Sequence, residues 1–341
     1  MNQTVNIAKG IAIISMVIGH VISSENFISI FIYKWHMPLF FFFSGYFFNT
    51  EKYSVQQFLY KKIKTIYFPF VFWSLLILYS HNILIDLHIN PLPYYDLQKF
   101  KILTYRIIFE LRQYEALLGT FWFLIQLLIV NILACIIFQI TTNKLSPKYF
   151  YYSKICILII SLICCIIFNK YHLLFYYHFG WISLLSFSFF VSGYILKSYD
   201  LSKKWILIFS IIVLTFSGQS FKEMIALNYN EILPYSITAL CGIILVYNIS
   251  SIIKNIQLIG KLLSLIGQQS YSIMILHFAS FKIISYLIVK YYNLPLDNIT
   301  EHPIIHNIPT TWQIFYIIIG ISLPIFLNKL YQITKFKLSI I

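Results

Sequence analysis

Val5-Asn6-Ile7-Ala8-Lys9-Gly10-Ile11-Ala12-Ile13-Ile14-Ser15-Met16-Val17-Ile18-Gly19-His20-Val21-Ile22 is an apolar run with one lysine inside it and one histidine near its end. A second run, Trp35-His36-Met37-Pro38-Leu39-Phe40-Phe41-Phe42-Phe43-Ser44-Gly45, follows after a short polar turn. A charge or a titratable ring at membrane depth is costly and marks a functional position. The surrounding chain is equally apolar: 59% of its 341 residues are hydrophobic and 11% charged. Soluble domains carry roughly 25% charged residues, so this chain cannot cover a soluble surface. The expected fold is all-α, a polytopic integral membrane protein of about ten transmembrane helices forming one domain over residues 1–341.

Further runs of spanning character are Ile66–Ile85, Phe121–Ile140, Ile155–Phe168, Phe179–Leu196, Trp205–Phe216, Ile232–Ile249, Tyr271–Val289 and Thr311–Leu327. With Val5–Ile22 and Trp35–Phe48 they make ten. Several are shorter than the roughly 20 residues a bilayer asks for, and Tyr, Trp and Ser at their ends extend them. The net charge of +14 follows topology and calls for no nucleic acid. With the N-terminus in the cytoplasm, fifteen lysines fall in cytoplasmic segments, against eight cations, including Lys222, opposite. Positive charge favours the cytoplasmic side, so both termini are expected there.

The exception is the long segment from Asp86 to Gly119, expected outside, which holds the only two arginines, Arg106 and Arg112. Arg106, Glu110 and Glu115 fit one face of a short helix. That helix is either interfacial with a solvated face or a lid over an outward-facing acceptor site, its arginines available to a planar polar partner. The five cysteines lie in apolar runs without metal-ligand spacing, so no metal site is expected.

All eleven carboxylates fall in loops or at span ends, which argues against a carboxylate proton relay. Ionisable groups in or at the ends of spans reduce to Lys9, His20, His36, His277 and Lys282. Lys9 and His20 are eleven residues apart, close to three helical turns, so they share a face about 16 Å apart. They are either a snorkelling lysine and a capping histidine, or a cation and a base on one cavity. His36 opens the second span in the leaflet of His20, with Pro38 suited to a first helical turn. Ser44-Gly45 permits close helix approach. Lys61-Lys62-Ile63-Lys64 stands just before the third span. It serves either topology alone or an anionic ligand such as the phosphates of a nucleotide-like cofactor.

In this order, several blocks resemble one family, the membrane-bound acyltransferase family 3. They are Lys9-Gly10 with His20, the Trp35–Gly45 run, Lys62-Ile63-Lys64, Thr120-Phe121-Trp122-Phe123-Leu124 and Ile266-Gly267-Gln268-Gln269-Ser270 through His277. Lys-Gly in the first span is similar to the fucose-acetylase-like, sugar O-acetyltransferase branch. Lys9, Lys62 and Lys64 stand where many members use arginine, and Asn6 where many use aspartate. The resemblance implies a membrane-bound O-acyltransferase that moves an acetyl group from acetyl-coenzyme A to a saccharide hydroxyl. The acceptor would be cell-surface or lipid-linked saccharide (O-antigen, capsule or exopolysaccharide), and the location a bacterial inner membrane. It implies His20 and His36 at the transfer point, Lys9, Lys62 and Lys64 for the coenzyme, and Trp122, Arg106 and Arg112 for the acceptor. The rival readings are succinyl in place of acetyl transfer, or a saccharide transporter or flippase. Transport favours intramembrane acids and inverted repeats, and the sequence has neither.

Overall fold

A computed structural model describes residues 2–49, 51–144, 146–176, 178–217 and 223–338; Lys222 lies outside the described residues. Its helices are α1 Gln3–Val21, α2 Phe27–Tyr33, α3 His36–Tyr46, α4 Val55–Lys62, α5 Phe68–Tyr79, α6 His81–Asp86, α7 Leu97–Glu110 and α8 Trp122–Lys144. Then come α9 Pro147–Lys170, α10 Trp181–Leu196, α11 Lys204–Phe216, α12 Ile232–Ile253, α13 Gln257–Gln268, α14 Ser270–Tyr292 and α15 Thr310–Leu338. A two-stranded ribbon, Leu174–Tyr176 with Phe179–Gly180, joins α9 to α10.

Among the described residues eight helical segments are long and apolar enough to cross a bilayer. Trp181–Leu196 and Lys204–Phe216 are apolar but shorter. At 1.5 Å per residue they reach about 24 and 20 Å, less than the ~30 Å hydrocarbon core. The chain is thus a multi-pass membrane protein with eight helices of full spanning length where the runs suggested ten. Large exposed hydrophobics such as Phe72, Ile160, Phe209 and Ile318 face outward, as lipid-facing positions do.

Two span starts differ from expectation. The second crossing begins at Phe27, because Asn26 caps α2 through Ile28 N at 2.9 Å and α3 follows two residues after α2 ends. The third begins at Val55, where Ser54 and Gln57 form a reciprocal capping box. Lys61, Lys62 and Lys64 therefore lie within the helical segment, not before it. Pro69 has no N–H to give to Thr65 and its ring crowds that carbonyl. The helix widens just upstream, over Ile63–Tyr67, into a π turn, in which the Phe68 N–H bonds to the Ile63 carbonyl. Two residues apart, Lys62 and Lys64 face different sides, Lys62 half-buried and Lys64 exposed.

Glycines set the closest helix contacts. A Cβ on Gly267 of α13 would overlap the Asn6 carbonyl of α1, and one on Gly10 the Leu263 carbonyl. Gly45 of α3 meets the Phe190 backbone of α10, and Gly193 meets that of Phe42. Where lipid gives no hydrophobic drive between helices, such close approach supplies the packing. It holds α1 and α3 firmly, and these two helices carry the site.

Candidate functional site

One stripe of α1 organises the site. Lys9, Ile13, Met16 and His20 follow at spacings of four, three and four, so they share a face. The first three line a cavity of about 660 Å³. His20, in the last turn of α1, lines a second cavity of about 420 Å³.

The first cavity is cationic at its mouth. Lys9, Lys52, Lys61 and Lys62 line it, and among its described lining residues there is no Asp or Glu. The ammonium groups sit over aromatic rings, Lys9 over Phe47 at 5.9 Å, Lys61 over Tyr53 at 4.7 Å and Lys62 over Phe58 at 5.1 Å. Lys62 lies close enough to Lys9 and Lys61 to be repelled by both. A cluster of like charges without a carboxylate is suited to a polyanion, since a bound phosphate relieves the repulsion and takes charge-assisted hydrogen bonds. Deeper, the wall turns apolar, with Phe40 and Phe123, and Asn131 donates to Ser44 Oγ at 3.3 Å.

Four histidines gather off this cavity. The rings of His20 and His277 stack with centroids 5.4 Å apart, and His36 and His302 are near enough to act on His20 electrostatically. Phe278 packs against His20 at 4.9 Å, His277 at 4.1 Å and His302 at 4.6 Å. His36 Nδ1–H donates to the Ile32 carbonyl at 2.8 Å. His277 Nδ1–H donates to those of Ile273 and Met274, both at 3.0 Å. A carbonyl only accepts, so Nδ1 bears the proton in each ring and Nε2 presents a lone pair. His277 Nε2 is buried with no partner among the described residues. His20 has no such tether: among the described residues no side-chain hydrogen bond fixes its ring, which leaves it free to accept and return a proton.

The second cavity is walled by His20, Tyr33, Glu223, Ile305, Asn307 and Gln313, among others. Tyr33 donates to the Gly19 carbonyl at 3.1 Å and meets Glu223. Burial pushes the Glu223 carboxyl above the usual range, with the Tyr33 hydroxyl opposing it. The wall segment after α14 is pinned from below: Lys282 Nζ donates to the carbonyls of Ile299 at 2.7 Å and Glu301 at 2.6 Å. Tyr316 OH accepts from Ile305 N at 3.3 Å. Lys282, a buried cation in a span, thus has a structural partner set. Burial and the nearby Lys282 ammonium push His302 down to about 4.

The sequence-derived candidates separate clearly. Lys9 and Lys62 line the first cavity, and His20 and His36 stand at the histidine cluster. Lys64 and Trp122 line neither cavity, although Thr120, Phe123 and Leu124 beside Trp122 do. Arg106 lies in the last turns of α7 and Arg112 two residues past its end, both off the two cavities; Arg112 pairs with Glu110 at 3.1 Å. Glu115 is not on α7: it lies beyond the helix, 2.9 Å from buried His81 Nδ1 and accepting from Asn90 at 3.0 Å, so that segment is a packed cap with its own buried polar core. Sequence reasoning missed Lys52, Tyr33, Glu223 and His302, which sit in or beside turns without spacing to flag them.

The fold is thus a polytopic helical bundle with a cationic cavity on one side of α1 and a histidine cluster near that helix's end. The acyltransferase domain family, acyltransferase 3, matches residues 2–329. The chain belongs to that family and is an acyltransferase. No curated protein and no solved structure matches it.

Proposed function

We propose that the protein transfers an acetyl group from acetyl-coenzyme A in the lysine cavity to a hydroxyl of a saccharide in the histidine cavity. The observation that carries this reading is the α1 stripe, which joins a carboxylate-free lysine cavity to a base about 16 Å further along one helix. The coenzyme fits the first cavity: its phosphates answer four lysines, and a flat adenine suits Tyr53 and Phe47 at the mouth. The about 660 Å³ available is in the range of ligand sites. Bound there, the donor supplies a thioester carbonyl.

His20 accepts the proton of the acceptor hydroxyl as the C–O bond forms and the C–S bond breaks, and returns that proton to the departing sulfur. His36 and His277, held by their Nδ1–H bonds, keep neutral lone pairs beside it. Lys9 and Lys62 position the donor and take no part in bond making. No Lys or Arg stands among the described residues of the histidine cavity, and Glu223 does. This supports an uncharged acetyl group over succinyl and a neutral acceptor over an anionic one. The lysine cavity faces the cytoplasm, where the coenzyme is, and the charge bias of the loops agrees; the setting is the bacterial inner membrane, with both termini cytoplasmic and the acceptor a surface or lipid-linked saccharide. Mass spectrometry of surface glycan from a deletion strain tests this: loss of a two-carbon acyl ester is expected, and an unchanged glycan would overturn the acceptor assignment.

A further inference from the structure

Three of the five methionines in the chain line the lysine cavity: Met16, Met37 and Met274. Each belongs to the turn that carries a histidine of the cluster. Met16 is four residues before His20, Met37 follows His36, and Met274 is three residues before His277. Met16 and Met274 are 3% and 5% exposed. None of the histidines lines the lysine cavity, whereas all three methionines do. Each of these turns therefore gives a methionine to the donor space and keeps its histidine out of that lining. Around them the wall is rigid: Thr120 donates to the Met274 carbonyl at 3.0 Å, and the Phe40 and Phe123 rings meet edge to face at 5.8 Å. Three flexible side chains in a wall otherwise built largely of aromatic, branched aliphatic and tethered polar residues mark the part that yields.

We infer that Met16, Met37 and Met274 form a yielding septum that admits a short acyl group to the histidines, measures its length and shuts water out of the donor space. This rests on the acetyl-coenzyme A reading and specifies its donor class. Methionine is unbranched and rotates about three bonds, so it moves aside where leucine or phenylalanine would hold its place. A two-carbon acyl group needs a small displacement, and each added methylene must find room against Phe278 and the stacked imidazoles. A hydrophobic pocket discriminates roughly 10- to 200-fold per methylene. Between turnovers the closed septum keeps water from the thioester carbonyl, where attack would release free acid and coenzyme thiol.

The test uses the full chain in membranes with acetyl-, butyryl- and hexanoyl-coenzyme A, following acyl transfer with acceptor and thiol release without it. The wild type should transfer acetyl over butyryl by roughly tenfold or more. Met16→Ala, Met274→Ala and their double variant should reduce that preference about tenfold and raise acceptor-independent thiol release. Met16→Leu and Met274→Leu, of similar volume but branched, should slow transfer while keeping the length preference; they and the single alanine variants carry the test if the double variant does not fold. Alanine variants that melt like the wild type and keep its length preference and its thiol release would overturn the septum. A folded wild type that transfers no acyl group from any donor would overturn the underlying reading instead.

Discussion

The imidazoles of His20 and His277 stack with centroids 5.4 Å apart and planes 22° apart, joining the end of α1 to the middle of α14. Neither ring is placed by a carboxylate. His277 is fixed by the carbonyls of its own helix, and it in turn supports the untethered ring of His20. A base held by stacking, with no side-chain hydrogen bond on its ring among the described residues, suits a step in which one proton is taken and then given back.

Removal of that base should be severe. His20→Ala is expected to lower acetyl transfer roughly 10²- to 10⁴-fold while leaving the thermal midpoint in detergent close to wild type, since the ring borders a cavity. His277→Ala should lower both, because it opens space beside Phe278 and Phe281. Steady-state rates and melting curves on the same preparations separate the two.

The lysines should divide by position. Lys62→Ala and Lys9→Ala are each expected to raise KM for acetyl-coenzyme A about tenfold or more, as loss of a charge-assisted hydrogen bond does, with little change in kcat. Lys64→Ala, at an exposed residue off the cavity, should leave KM unchanged. With acetyl-pantetheine, which lacks the nucleotide phosphates, the first two variants should match wild type.

Packing of α1 on α13 yields a stability prediction. A Cβ at Gly267 meets the Asn6 carbonyl, and backbone cannot rotate away. Gly267→Ala should destabilise by about 1–3 kcal/mol or more. Gly119→Ala, whose Cβ meets only the Phe278 ring at 3.4 Å, should have a much smaller effect. Thermal melts in one detergent give the comparison.

His302 predicts a stability change with pH. Its folded value near 4 lies below the ordinary 6.5, so the neutral ring is favoured in the fold. That contribution is fully present above pH 6.5 and is lost as pH falls toward 4. His302→Gln should flatten the fall in thermal midpoint over this window relative to wild type; identical slopes would show that the ring does not carry it.

The first fifty residues foretold much of this. A cation and a histidine three turns apart on an apolar helix read directly as one face, because the helical period is fixed, but they open onto two cavities where one was expected. The Ser44-Gly45 pair likewise announced a close contact. Lys64 shows where periodicity gives out: residues two apart face different sides of a helix, and only the three-dimensional helix shows that Lys62, not Lys64, lines the cavity. His302, Glu223 and Lys52 lie in connecting segments, where position depends on distant anchors such as Lys282 and Tyr316. The methionines read as ordinary apolar residues until three separate helices bring them to the lining of one cavity.

The most direct test of the account is acetyl transfer in sealed membrane vesicles of both orientations, supplied externally with labelled acetyl-coenzyme A, for wild type and His20→Ala. The account predicts labelled glycan only when the cytoplasmic face is outward, and loss of that label by at least about 100-fold in the folded variant. A folded His20→Ala protein that labels glycan at the wild-type rate would contradict it.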